Sequence, residues 1–157
     1  MTDRNLPITG GCLCGALRYE ASEFPSHVGL CHCRVCQRTS GNAFEALAKF
    51  PRTAFRFTKG EAKRYRPSSI MEKCFCQDCG STLTDRYLVP VSAGLNLDSL
   101  WVHIGTLDEP EIGPIESHYG VESQLSWLHF DDGLPRARCD EDTELAAAFA
   151  AAGGNKE

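Results

Sequence analysis

The sequence has no apolar run approaching the roughly 18 residues that a membrane-spanning helix needs, and no block of Lys and Arg. The first absence excludes a helical membrane protein. The second removes the electrostatic footprint of a nucleic-acid binder, and the formal charge of -5 at pH 7 points the same way. The opening residues, MTDRNLPITG, carry neither the apolar centre of a secretory signal nor the Arg-rich amphipathic pattern of a transit peptide. A cytoplasmic location is therefore expected, with neither membrane nor nucleic acid as a partner. No internal repeat is present beyond the paired cysteine loops, and the alanine run near the C-terminus is the one long low-complexity stretch. At 157 residues the chain has the length of one domain that can bury a core without disulfides.

What the chain has in excess is cysteine, nine in all. In a reducing compartment, closely spaced cysteines read as metal ligands or catalytic groups before they read as disulfide partners. Cys12-x-Cys14 and Cys76-x-x-Cys79 each offer two thiolates flanked by glycine (Gly11, Gly15, Gly80), and together they complete the four ligands of a structural zinc. Such a zinc would tie the first strand to the middle of the chain. The alternative is two pairs of buried, unliganded cysteines. Cys31-x-Cys33-x-x-Cys36 offers three thiolates within six residues, the number of protein ligands in a catalytic zinc site with one exchangeable position. A second structural zinc, closed by His32, Cys74 or His118, is the other reading; iron–sulfur spacings do not fit. With both metals bound, the thiolates would carry the net charge to about -8. Cys74 reads as a small core residue and Cys139 as a spectator in the tail. His27, His103 and His129 have no ligand-spaced partner.

Period-two patterns and turn residues place strands after the first cysteine loop, over AFEALAKF, and on both sides of the Cys76–Cys79 knuckle. The segment AFRFTKGEAKRYR reads as two strands of a hairpin turning at Lys59-Gly60. Residues 110–135, rich in Pro, Gly and Asp, read as irregular loops; their aromatics, from Tyr119 to Phe130, read as plugs beneath those loops, or as a ligand-facing surface. A short helix is expected over DTELAAAFAAAGG, started by Asp142, stopped by Gly153-Gly154, and bearing Leu145 and Phe149 on one face.

Five ordered segments, GGCLCGALRYE, CHCRVCQRTSGNAF, KCFCQDCGSTL, HIGTLDEP and SWLHFDDGLP, resemble the glutathione-dependent formaldehyde-activating enzyme (GFA) family, which also includes centromere protein V. The resemblance implies a mainly β fold, the β-tent of small antiparallel sheets around zinc, over residues 1–135, with 136–157 as a tail carrying the short Ala-rich helix. It implies structural zinc ligands at Cys12, Cys14, Cys76 and Cys79, and catalytic zinc ligands at Cys31, Cys33 and Cys36, two zincs per chain. His118 stands where the family often has a histidine. The implied activity is that of a carbon–sulfur lyase acting on the adduct of a small, glutathione-like thiol with an aldehyde. A non-catalytic zinc module that senses thiols or oxidants, or binds a protein partner, is the alternative.

Overall fold

A computed structural model describes residues 5–92 and 95–154. The chain forms strands β1 (Ile8–Gly11), β2 (Arg18–Ala21) and β3 (His27–Cys31), helix α1 (Arg34–Ser40), and strands β4 (Glu45–Pro51), β5 (Phe55–Lys59) and β6 (Lys63–Tyr65). It continues through β7 (Met71–Phe75), β8 (Thr82–Tyr87), β9 (Ser99–His103), β10 (Ser117–Tyr119) and β11 (Arg136–Ala137) to helix α2 (Thr143–Ala151). The mainly β architecture and the terminal helix are those expected. The strands form two sheets, one antiparallel and one mixed. One is a three-stranded antiparallel sheet in the order β1-β2-β5, and the other has eight strands in the order β11-β10-β3-β4-β9-β8-β7-β6. Strand β10 runs parallel to both β3 and β11.

The expected hairpin is absent. Strand β5 pairs with β2 in the small sheet, whereas β6 pairs with β7 in the large one. Gly60 does turn the chain, at φ 73°, but the turn carries it from one sheet to the other. A Cβ there would lie 2.4 Å from the Ala16 carbonyl oxygen, so glycine is required by close approach as well as by conformation. Local pattern specifies strands, and only the faces they bury specify partners.

The two sheets enclose one core. Ile8, Tyr19 and Ala21 from the small sheet pack with Ala48, Phe50, Leu83, Leu100 and Val102 from the large one. The strand period of two sends the alternate residues Leu47, Lys73, Asp85, Tyr87 and Trp101 away from that core. A bulge opposite Cys74 and Phe75 lets Leu83 join the core while Asp85 and Tyr87 stay on the other face. Helix α2 covers part of that second face. Its Leu145, Ala148 and Phe149 pack with Ile70, Met71 and Tyr87. Asp142 caps the helix by accepting from the Leu145 amide at 2.9 Å, as its acidic start predicted.

Among the described residues, no helix is long and apolar enough to cross a membrane. The stretch read as irregular from 110 to 135 holds β10, too short at three residues to show a period in sequence.

Candidate metal centres and cavity

The four-cysteine group assembles from two loops. Cys12 and Cys14 lie between β1 and β2, and Cys76 and Cys79 lie in the knuckle between β7 and β8. Gly15 and Gly80 turn each loop at positive φ, their amides bonding the Cys12 and Cys76 carbonyls at 3.1 and 2.8 Å. Cys12 and Cys14 Sγ are 3.5 Å apart, and Cys14 and Cys76 Sγ, 62 positions apart in sequence, are 3.8 Å apart. A tetrahedron with metal–sulfur bonds of about 2.3 Å has edges of about 3.8 Å, so the donor set fits a tetrahedral thiolate site.

Electrostatics agree with that fit. Ser81, through its hydroxyl and backbone, holds the Cys79 thiol down to about 5. Cys12 is held below its ordinary value although burial opposes it, because the Leu17 amide donates to its sulfur at 3.2 Å. Cys14 is raised to about 12; the Ala16 amide favours its thiolate, but the sulfurs of Cys12, Cys79 and Cys76 outweigh it. Four sulfurs this close share negative charge easily only around a cation.

The three-cysteine group forms where β3 runs into α1. Cys31 ends the strand, Cys33 caps the helix, and Cys36 lies in its first turn; their sulfurs all fall within 4.8 Å of one another. The Cys36 amide donates to Cys33 Sγ at 3.4 Å. Neighbouring strands hold this corner. The His32 amide donates to the Tyr119 carbonyl at 2.8 Å, and the Gln37 side-chain amide donates to the Ser123 carbonyl at 2.8 Å. Gly120, at φ 70°, lies so close that a Cβ there would stand 2.7 Å from the Cys33 nitrogen.

Cys139 does not stand apart. Its sulfur, with those of Cys31 and Cys36, holds Cys33 far below the ordinary thiol range, although Cys139 is not one of the group whose sulfurs fall within 4.8 Å of one another. Cys139 itself, and Cys31 and Cys36, are raised by the same proximity. The other candidate ligands face elsewhere. Cys74 is buried and hydrogen-bonded to Thr84 Oγ1 at 2.9 Å. His32 Nε2 and His118 Nδ1 are 2.9 Å apart, and His118 Nε2 meets Asp132 Oδ2 at 2.7 Å. These buried imidazoles stack among Phe44 and Phe130, which makes Phe130 a plug; Trp127 is 68% exposed.

A cavity of about 470 Å3 opens on the three-cysteine group. Cys31, Cys33, Cys36 and Cys139 lie in its lining, together with Leu47, Ile70, Met71, Tyr87, Trp101, Tyr119, and Leu145 and Phe149 of α2. Arg34, Glu122 and Ser123 add polar atoms. None of the four cysteines of the other group lines it.

Beside the cavity floor lies a buried charge cluster that the sequence did not signal. Lys73 Nζ donates to Glu45 at 2.8 and 2.9 Å and to Asp85 at 2.6 Å, and His103 Nε2 lies 3.0 Å from Asp85. Lys73 is fully buried. Burial raises the Glu45 carboxyl, and the neighbouring Asp85 charge adds to that; burial also opposes ionisation of Asp85, but His103 and Lys73 hold it below its usual range. The Glu45, Asp85 and His103 donors are close enough for a metal, yet the Lys73 ammonium already supplies the positive charge there. Glu45 also accepts from Thr39 of α1 at 3.2 Å and pairs across strands with Cys31, so the cluster underpins the three-cysteine corner.

These features define a cysteine-rich, mainly β protein with two thiolate groups that could hold metal, one seated against the core and one facing a cavity. Over residues 7–122 the sequence matches the family described as glutathione-dependent formaldehyde-activating enzyme, and the chain belongs to that family. It is 31% identical over 78 residues to an uncharacterized lyase, C29B12.13, of Schizosaccharomyces pombe, across 50% of this chain and 56% of that protein. The chain thus spans little more than half the length of that curated relative. A crystal structure of a Rhodobacter sphaeroides protein superposes with a TM-score of 0.53 at 20% identity, covering 69% of this chain and 97% of that one, a likeness of fold.

Proposed function

We propose that the protein is a zinc-dependent carbon–sulfur lyase acting on the adduct of a small thiol with an aldehyde. Cys12, Cys14, Cys76 and Cys79 hold a structural zinc, and Cys31, Cys33 and Cys36 hold a catalytic one. The observation that carries this reading is the cavity, which exposes the three-cysteine group to a small molecule and leaves the four-cysteine group outside. Zinc at the three thiolates would bind a sulfur or polarise an oxygen, stabilising negative charge as it develops. Membership of the family and the relative's name as a lyase support the reaction class.

The reaction breaks the C–S bond of a hemithioacetal. Its electron pair stays with sulfur, the hydroxyl proton leaves as the carbonyl forms, and no electrons are exchanged with an oxidant. Glu122 is the carboxylate on the wall placed to take that proton, since Asp85 is locked between Lys73 and His103. The aliphatic and aromatic walls exclude water and favour an adduct with an apolar substituent, by about 0.8 kcal/mol for each buried methylene. The 136–157 tail belongs to the working unit in this reading, because α2 supplies part of the wall.

The test is exchange spectroscopy by NMR. Interconversion of aldehyde and thiol with their adduct, measured for glutathione and simpler thiols against formaldehyde and longer aldehydes, should exceed the spontaneous rate with zinc-loaded protein. Rates equal to background for every pair would overturn the lyase reading and favour a binding module.

A further inference from the structure

We propose that Leu145 and Phe149 of helix α2 are the residues that select the aldehyde: they build the apolar end of the cavity that receives its substituent, so that aldehydes with an aliphatic chain are preferred over formaldehyde. The proposal rests on the lyase reading and names the carbon half of its substrate. Both residues lie beyond the segment matched to the family, which ends at residue 122. The selection is therefore a property of this chain's own C-terminal segment.

Local sequence aims the two side chains. In TELAAAFAA they are the only apolar residues larger than alanine, and at positions i and i+4 they project from one face of the helix. That face meets the large sheet, where both pack with Ile70, Met71 and Tyr87. Each is half-buried and lines the cavity, so part of its surface is held by this cluster and part is presented to a ligand.

The helix is also tied in register with the cysteine corner. Asp142 uses one carboxylate oxygen to accept from the Leu145 amide at 2.9 Å and the other to accept from the Tyr119 hydroxyl at 2.7 Å. Tyr119 in turn pairs across strands with Cys31. A short chain of contacts thus runs from the first cysteine to the first turn of α2, and it fixes how far the apolar wall stands from the thiolates.

Chemistry then separates the substrates. Beside the cysteines the lining includes Arg34, Glu122 and Ser123, polar groups that suit the reacting oxygen and sulfur. Leu145, Phe149, Ile70 and Met71 offer no hydrogen-bonding side chain, so water held against them lacks the two to four polar partners that an ordered buried water needs. Formaldehyde carries no carbon beyond the reacting one and leaves that water in place. An alkyl substituent displaces it.

Exchange spectroscopy by NMR on the full zinc-loaded chain tests this, with 2-mercaptoethanol as the thiol and formaldehyde, propanal, hexanal and octanal as the aldehydes. Each kcat/KM is divided by the spontaneous rate constant for the same pair. The quotient should rise by about fourfold for each methylene between propanal and hexanal. Leu145→Trp, which fills the space, should cut the hexanal-to-formaldehyde ratio at least about tenfold, and Phe149→Ala, which enlarges it, should raise octanal relative to hexanal. Circular dichroism checks the fold of both, with Phe149→Leu as a milder second variant. Wild-type protein that accelerates formaldehyde as much as hexanal, or folded variants that keep the wild-type ratios, would overturn the selection and leave the lyase reading standing. No pair above its spontaneous rate sinks both.

Discussion

Replacing Lys73 with Met should destabilise the protein by about 3–5 kcal/mol, a large part of the roughly 5–15 kcal/mol of a typical domain. Lys73 is fully buried and bonds two carboxylates, Glu45 at 2.8 Å and Asp85 at 2.6 Å. At an effective dielectric of about 20, each pair has a gross attraction of about 6 kcal/mol. Desolvation of three ions and repulsion between the carboxylates cancel most of this, so the intact cluster is no large net stabiliser. Removing the cation keeps both penalties and discards the attraction. The residual cost is moderated because Glu45, already raised by burial and by Asp85, takes up a proton. Its folded pKa then lies further above its unfolded value, so the stability it contributes is present at low pH and lost as pH rises through the folded pKa. Urea unfolding followed by circular dichroism should therefore show a lowered midpoint with unchanged slope, and a larger deficit at pH 8 than at pH 5. Adding Glu45→Gln should recover part of the loss. A deficit below about 1 kcal/mol, or one independent of pH, would refute the account of Lys73 as the cluster's indispensable cation.

With zinc at both cysteine groups, as proposed, Cys12→Ser should leave the chain unfolded or nearly so, since a structural zinc supplies on the order of 10 kcal/mol of apparent folding free energy, whereas Cys33→Ser should lose one zinc and stay folded; metal analysis with circular dichroism decides, and equal loss of fold from both would sink the distinction. Gly120→Ala should cost about 1–2 kcal/mol in backbone strain at φ 70° and also displace Cys33, so thermal stability and metal retention at the three-cysteine site should fall together. Asp85 sits below its usual range in the folded state despite burial, so the stability it contributes is present above about pH 4 and lost as pH falls through the folded value. Asp85→Asn should accordingly lie far below wild type in stability at pH 7 and approach it in acid, which a pH series of denaturant melts will show.

The cysteine spacings by themselves determined which sulfurs group together. Cysteine pairs two and three residues apart need only a tight turn with glycine beside it, a local property, and in the structure the sulfurs of each group lie within 4.8 Å of one another. The terminal helix was equally legible, because its cap, its alanines and its stop lie within one short segment. Strand partnership was not. The Lys59-Gly60 turn gives the same local signal whether β5 and β6 pair with each other or with strands of two sheets, and the buried faces of Tyr19 and Phe50 decide between them. Cys139 illustrates the same limit. Nothing within ten residues of it carries a ligand signature; the parallel β3-β10-β11 edge, whose β3 and β10 partners are 88 positions apart (Ser117 and Gly29, for one), carries it to the wall of the cavity that Cys31, Cys33 and Cys36 share. The Lys73 cluster likewise exists only because β4, β7, β8 and β9 align four polar side chains on one face. The sequence determines the close cysteine pairs through short-range geometry. What surrounds them, and which group faces the cavity, is set by long-range packing that a linear pattern does not encode.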